Sequence, residues 1–360
     1  MSSEVTKRMI AEYVEDAPKP AALTSLFQSP PENFHSSEEV EIDVTRGGED
    51  VAIVVQDLSV GSRSNSADLY TNKSFRPPIY SESFAVNSFD LIKRMSGSDP
   101  FMDANFQLNA SKRFMDGMRK VNNKIIRAIE LQASQVLTTG KLTLGDSAGV
   151  ELYALDYKPK ATHFPTASTA WNASGATILS DINGLCNVIR NDGKKVATDM
   201  ILGEGSFEAM VQDDDVKARL DNRRIEMGSI GMIEKVASGL NYRGVIEVGN
   251  YSLRVWSYPG VYTHPQTGAS TQYVDDGKAI IYAEDGRLDA TFGAIPRIVP
   301  VENRVLPYLP ETVTMPGRGM TMSTFAWVTP NGSQLMGEVG SRPLLIPTAI
   351  DTFGCIATGV

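Results

Sequence analysis

DPFMDANFQLNASKRFMDGMRKVNNKIIRAIELQASQVLTTG, residues 99–140, is the stretch around which the rest of the chain is arranged. It opens on Asp99, a residue type that caps helix N-termini, and Pro100, whose fixed φ suits the first helical position. It closes on Thr139-Gly140, where a glycine can take the left-handed conformation that ends helices. Between these signals Phe114, Met118, Val121, Ile125, Ile129, Ala133 and Val136 recur at helical spacing and form one apolar stripe. Lys112, Arg113, Arg119, Lys120, Lys124 and Arg127 fall on the opposite face, with few acids among them. The spacing predicts a helix that begins in earnest near Phe106. About thirty residues of helix span roughly 45 Å, as long as a whole small domain, so this helix serves as a spine.

The whole chain of 360 residues has material for two or three packed units. Its 42% hydrophobic and 21% charged content is that of an ordinary soluble globular protein. A formal charge of −9 speaks against non-specific coating of nucleic acid as its main task. Cys186 and Cys355 are too few for a disulfide framework and fit a reducing compartment. The opening MSSEVTKRMIAEYVED mixes both charges and lacks a signal-peptide core. No run reaches the roughly twenty apolar residues that a membrane crossing needs. These features predict a soluble, intracellularly made protein with no membrane partner.

Residues 1–37 read as an arm in which Pro18, Pro20, Pro30 and Pro31 favour extended chain. Leu23, Leu26, Phe27 and Phe34 are apolar for a solvated tail, so the arm is expected either to stay loose or to order on a neighbour. Val40, Ile42 and Val44 alternate in strand fashion, then a turn at Arg46–Asp50 leads to Val51, Ile53 and Val55. From Ser59 to Phe84 the chain is polar and turn-rich and reads as a long hairpin, too polar at its tip for a core of its own. An isolated two-stranded hairpin is marginal in water, so it must lie on its own domain or on another subunit. On another subunit Leu69, Tyr70, Phe75 and Ile79 can bury apolar area and Arg63 and Asp68 can meet opposite charges, while in a free subunit Arg63, Lys73 and Arg76 are candidate protease sites.

After the spine, residues 141–159 read as strand, turn, strand, and a second helix is marked by Ile178, Ile182, Leu185, Cys186, Val188 and Ile189. Strand patterns follow at 197–202, 245–248, 251–258 and 279–283, with a helix starting at Ser206 and a long polar loop at 262–277. The last segment has strands near 324–328, 335–339, 344–347 and 353–357, expected to pair back beside the long helix.

Few constellations could carry chemistry. Gly145-Asp146-Ser147-Ala148-Gly149 matches the G-x-S-x-G nucleophile elbow, which needs a strand before the serine and a helix after it. Val150, Leu152, Ala154 and Tyr157 instead follow with strand character, so the glycines read as a hairpin turn. A soluble serine hydrolase using Ser147 is the runner-up function. His35, His163 and His264 are far apart and lack metal-ligand spacing. Asp213-Asp214-Asp215 lacks the glycine and glutamate of a calcium loop and reads as a turn capping the next segment. Gly203-Glu204-Gly205 has no phosphate-loop continuation. No cofactor, metal or catalytic residue is assigned. The basic helix face suits either acidic neighbours or nucleic-acid phosphates.

Several stretches together resemble the lambda-type major capsid proteins of tailed bacteriophages. They are Gln132-Ala133 through Val136-Leu137 to Gly140-Lys141, Leu220-Asp221-Asn222-Arg223-Arg224, Tyr242-Arg243-Gly244 before a strand, and Ser341-Arg342-Pro343-Leu344-Leu345. The order of elements matches over nearly the whole chain. The resemblance implies an α+β chain with the Hong Kong 97-like, tailed-phage major capsid fold. It implies an N-terminal arm (1–37), peripheral-domain strands (38–58) and an extended loop (59–84). A peripheral domain with the spine helix (85–167), an axial domain (168–318) and C-terminal strands returning to the peripheral domain (319–360) would follow. It further implies a structural protein, not an enzyme, that self-assembles through pentamers and hexamers into an icosahedral shell around double-stranded DNA. Scaffolding protein, portal and a decoration protein are the further partners implied. The protein would be made and assembled in the host bacterial cytoplasm and end in the virion. On this reading Arg63, Asp68, Tyr70, Lys73, Phe75, Arg76, Lys120 and Lys124 are the inter-subunit contact residues.

Overall fold

A computed structural model of the chain describes residues 22–35, 39–44, 71–89, 106–145, 150–219, 239–295, 297–298, 313–314 and 321–360. Residues 22–35 form a strap with two short 3-10 turns, Thr24–Leu26 and Pro31–Asn33. β1 (Val40–Val44) pairs antiparallel with β2 (Thr71–Phe75), and β3 (Tyr80–Asn87) precedes the long helix α1 (Phe106–Thr139). β4 (Lys141–Gly145) and β5 (Glu151–Asp156) make a hairpin. Next come α2 (Ile178–Gly193), β6 (Asp199–Leu202), α3 (Glu204–Gln212) and α4 (Asp214–Arg219). β7 (Asn241–Val248) and β8 (Tyr251–Ser257) are antiparallel, as are β9 (Val261–Thr263) and β10 (Ser270–Gln272). β11 (Lys278–Tyr282) and β12 (Asp289–Phe292) are followed by the short pair β13 (Arg297–Ile298) and β14 (Val313–Thr314). The chain then runs through β15 (Ser323–Val328), β16 (Gln334–Ser341), β17 (Pro343–Ile346) and β18 (Phe353–Ala357).

α1 has 34 residues, about 50 Å of helix. All seven residues of the expected apolar stripe are buried. It ends at Gly140, whose φ of +66° is left-handed and whose N–H donates to the Val136 carbonyl at 2.8 Å, the αL form of helix stop. The N-terminal signal at Asp99-Pro100 lies outside the described residues.

The apolar stripe is covered by the antiparallel sheet β15-β16-β3. Val86, Leu335 and Val339 of that sheet share one core with Phe114, Met118 and Ile125. Phe84 of β3 packs on Phe114 with ring centroids 5.2 Å apart. The expected boundary of the extended loop at Phe84 therefore falls inside a paired strand, because this ring is needed by the core beneath it.

The second unit is the five-stranded sheet β18-β11-β6-β8-β7, in which β6 and β8 are parallel and the other neighbours antiparallel. Ile182, Leu185 and Ile189 of α2 pack on Met200, Leu202, Ala279 and Ile281. The alternate residues Ile201, Ile280 and Cys355 face the core that contains α1. Both faces are covered, so Met200–Leu202 of β6 and Ala279–Tyr282 of β11 read as apolar runs rather than as alternating strands. The parallel register of β6 on β8 is fixed by Asp199, which is buried. It accepts from Arg254 Nε at 2.8 Å and Nη2 at 2.6 Å, from Trp256 Nε1 at 2.9 Å and from Thr198 Oγ1 at 2.7 Å. This bidentate contact raises the Arg254 guanidinium still further above its ordinary value.

The final strands do not travel together. β16 pairs with β3 beside α1, and β17 pairs with β12. β18 instead closes the edge of the five-stranded sheet against β11. It is held there by close packing, since a Cβ on Gly354 would lie 2.4 Å from the His163 carbonyl oxygen.

The strap also departs from expectation, for it orders on its own chain rather than staying loose or needing a neighbour. Gln28 N–H donates to Leu288 O and Gln28 O accepts from Ala290 N–H, both at 2.8 Å, which aligns the strap along β12. Phe34 stacks on Phe292 at 5.2 Å, and Leu23 and Phe27 are buried in the main core.

Candidate assembly surface

Helical geometry puts Lys112, Asp116, Arg119, Lys120, Lys124 and Arg127 on the side of α1 away from its core, and all six are exposed. Lys124 Nζ lies 2.8 Å from Glu82 Oε1 of β3. That pair is open to water on both sides, so it adjusts charge on the surface more than it holds the fold. A face of this kind can bind carboxylates or phosphates, and Lys120 stands on it one turn from Lys124.

The hairpin residues fare unequally. Arg63, Asp68 and Tyr70 lie outside the described residues, and Lys73 sits in β2 opposite Ile42. Phe75 is half-buried against its own chain, 6.2 Å from the Tyr157 ring and beside a small core of Leu142, Leu344 and Ile346. Its ring is therefore committed largely within the subunit. Arg76 is exposed, and Ile79, at 58% exposure, presents an apolar side chain to solvent. The structure places Ile79 and the basic face on the surface, and among the described residues it gathers no single site from hairpin and helix.

A second focus lies on α1 that sequence reading missed. Glu130 is 1% exposed. Its Oε1 accepts from Leu23 N–H at 2.7 Å and from the Tyr258 hydroxyl at 2.8 Å. Its Oε2 accepts from Thr24 N–H at 2.9 Å and Thr24 Oγ1 at 2.7 Å. Four donors surround one buried carboxylate, the arrangement that lets a charge stay inside without a cation. Burial first, and the adjoining Glu130 second, push the Tyr258 hydroxyl well above its ordinary value. Tyr258 stacks on Tyr273, whose own hydroxyl is pushed up to about 12 by burial. Tyr273 is tied back to α1, since Ser134 Oγ donates to its carbonyl and its hydroxyl donates to Arg127 O at 3.4 Å. Two residues beyond Glu130, Gln132 Nε2 donates to Tyr80 OH at 2.8 Å.

The polar 262–277 stretch is the β9–β10 hairpin, its turn closed by His264 N–H to Ala269 O at 2.8 Å. His163, read from sequence as a loop residue, is fully buried. Its Nδ1 meets Phe353 O at 2.8 Å and its Nε2 meets Asp192 Oδ2 at 3.3 Å. A carbonyl can only accept, so Nδ1 carries a proton. The ring thereby joins the end of α2 to the start of β18. Asp213 caps α4 as expected, accepting from Val216 N–H at 3.0 Å.

Ser147 lies outside the described residues, but the strands on either side pair with each other, Leu142 opposite Leu155. The element that follows the serine is thus a strand, not the helix that a nucleophile elbow requires. Among the described residues no cluster of three or more His, Cys, Asp or Glu is placed to hold a metal ion. Also among them, no helix is long and apolar enough to cross a membrane.

This architecture, a long helix under a small sheet joined to a second five-stranded unit, is the fold of phage capsid structures. The putative capsid protein of a prophage of E. coli CFT073 shares it with a TM-score of 0.64 and 14% identity, over 97% of this chain and 98% of that one. A phage-related protein from Bordetella bronchiseptica RB50 aligns with a TM-score of 0.51 and 12% identity, over 98% and 97% of the two chains. No curated protein matches in sequence. The model of the family described as phage major capsid protein E matches residues 6–354, and the chain belongs to that family. It is therefore a capsid-forming, structural protein whose place is the virion, as the sequence resemblance implied.

Proposed function

We propose that copies of this chain close into an icosahedral head shell around double-stranded DNA, passing through pentamers and hexamers. Assembly takes place in the bacterial cytoplasm, with scaffolding protein, portal and a decoration protein as further partners. The observation that carries this reading is the family match from residue 6 to residue 354, on a fold shared over the full length of a prophage capsid protein. Ring contacts between copies are heterologous, so closure is a matter of angle rather than of a self-complementary patch.

In this reading residues 1–37 are the arm, 59–84 the extended loop, 168–318 the axial domain, and 38–58, 85–167 and 319–360 the peripheral parts. Arg63, Asp68, Tyr70, Lys73 and Arg76 reach a neighbouring subunit, with Ile79 supplying exposed apolar area beside them. Phe75 contributes less, because its ring already packs on Tyr157. Lys120 and Lys124 meet acidic groups of the shell.

The test joins microscopy to proteolysis. Purified protein, expressed with and without scaffold, is viewed in negative stain, and closed shells are expected. Trypsin should cleave at Arg63 and Lys73 more slowly in those shells than in unassembled chain. Equal rates in the two states would remove the extended loop as an inter-subunit tie.

A further inference from the structure

We propose that Glu130 is a shared latch, through which seating of the strap and seating of the β9–β10 hairpin on α1 become one event. The two segments lie far apart in the sequence and do not bond to each other at this point. The strap donates to the carboxylate directly, and Tyr258, which precedes β9 and stacks on Tyr273 just after β10, donates to the same Oε1 as Leu23 N–H.

Burial is what couples them. Glu130 sits in the C-terminal half of α1 with 1% of its surface exposed, and its four donors are all neutral. With all four in place the charge is satisfied. Without the strap it keeps only the Tyr258 hydroxyl and must find water through the space that Leu23 and Thr24 leave. Water reaching Oε1 then competes with Tyr258 itself. Tyr258 in turn positions the hairpin, since it stacks on Tyr273, and Tyr273 packs on Tyr262 of β9 with centroids 5.0 Å apart. The remaining anchors of the hairpin on α1, the Ser134 hydroxyl and the Arg127 carbonyl, lie one turn either side of Glu130. Loosening at Glu130 therefore reaches the turn at His264–Ala269, and lifting the hairpin weakens the seat of the strap.

The device works within one subunit and stands whether or not shells form. Hydrogen exchange on the full-length, unassembled chain tests it with two mild variants. Tyr258→Phe keeps the ring stack and removes one donor; it does not touch the strap. We expect amide exchange over Leu23–Gln28 to quicken about fivefold or more in this variant. Thr24→Ala removes the hydroxyl donor on the strap side only, and should quicken exchange at Tyr273 N–H, which bonds to Gly260 O at 3.0 Å. Amides in the middle of α2, remote from Glu130, should keep their rates. If each variant quickens only its own side, the contacts are independent and the latch is overturned. Equal quickening in α2 overturns it as well, because that is loosening of the whole fold.

Discussion

The ring of Phe84 fills a notch that exists because residue 117 is glycine. A Cβ built on Gly117 of α1 would lie 2.4 Å from Phe84 Cδ2. The ring has no room to retreat, since Gly337 of β16 bounds it on the other side, where a Cβ would come 2.4 Å from Cζ. Phe114 closes a third side. Gly117→Ala would gain about 1 kcal/mol in helix propensity, and would lose about 1–3 kcal/mol to overpacking. The expected outcome is a net loss with a melting temperature a few degrees lower, read by thermal unfolding. An unchanged or raised melting temperature would mean that the ring turns aside freely.

The same substitution in α2 should have the opposite sign. Gly184 is exposed, with nothing within 4 Å of the position its Cβ would take. Gly184→Ala restricts the unfolded chain and costs no contact, so it should stabilise by about 1 kcal/mol. The two variants side by side separate backbone preference from packing, and a destabilised Gly184→Ala would contradict the helical environment described for it.

α1 was legible from sequence because a helix records its buried side in local spacing. Phe114 through Val136 repeat along one stripe, and Gly140 marks the end. Glu130 was not legible, because nothing local distinguishes it from a solvated glutamate. Its burial comes from Leu23, Thr24 and Tyr258, more than a hundred residues away on either side. His163 was hidden for the same reason, its partners being Asp192 and the carbonyl of Phe353. The strands at 279–283 and 353–357 could each be placed, but not their pairing, since an apolar run carries no record of its neighbour. β16 and β18, both near the end of the chain, belong to different sheets.

Acid should weaken the joint between α2 and β18. The Lys160 ammonium, 2.9 Å from Asp192, holds that carboxyl below its ordinary value of 3.8, with His163 adding to the effect against some opposing burial. The folded state thus binds the proton less readily than the unfolded chain. The stability this carboxylate contributes is complete above the unfolded value and is lost as pH falls through the lower folded one. Asp192→Asn should therefore melt a few degrees below the wild type at pH 7, and the gap should narrow on going to pH 3. Thermal unfolding at the two pH values checks this, and a gap of constant size would exclude Asp192 as its source.

The basic face of α1 yields a test that separates fold from assembly. Lys124 pairs with Glu82 at 2.8 Å in water, and exposed pairs of this kind contribute under about 1 kcal/mol. Reversing Lys120 and Lys124 to glutamate places a carboxylate beside Glu82, yet the buried stripe on the far side of the helix is untouched. The subunit should consequently keep its secondary structure and lose no more than a few degrees in melting temperature. If the face meets acidic groups of neighbouring copies, four units of charge change per subunit are repeated around every ring, and like charges then oppose each contact. Empty-shell yield should fall severalfold at low salt and recover in part at high salt, where such repulsion is screened. Contact with packaged DNA alone would leave empty shells at normal yield and reduce only the filling of heads. Sedimentation of assembled material from the double variant, with and without added salt, decides between the two, and normal empty-shell yield at low salt would take this face out of the inter-subunit contacts.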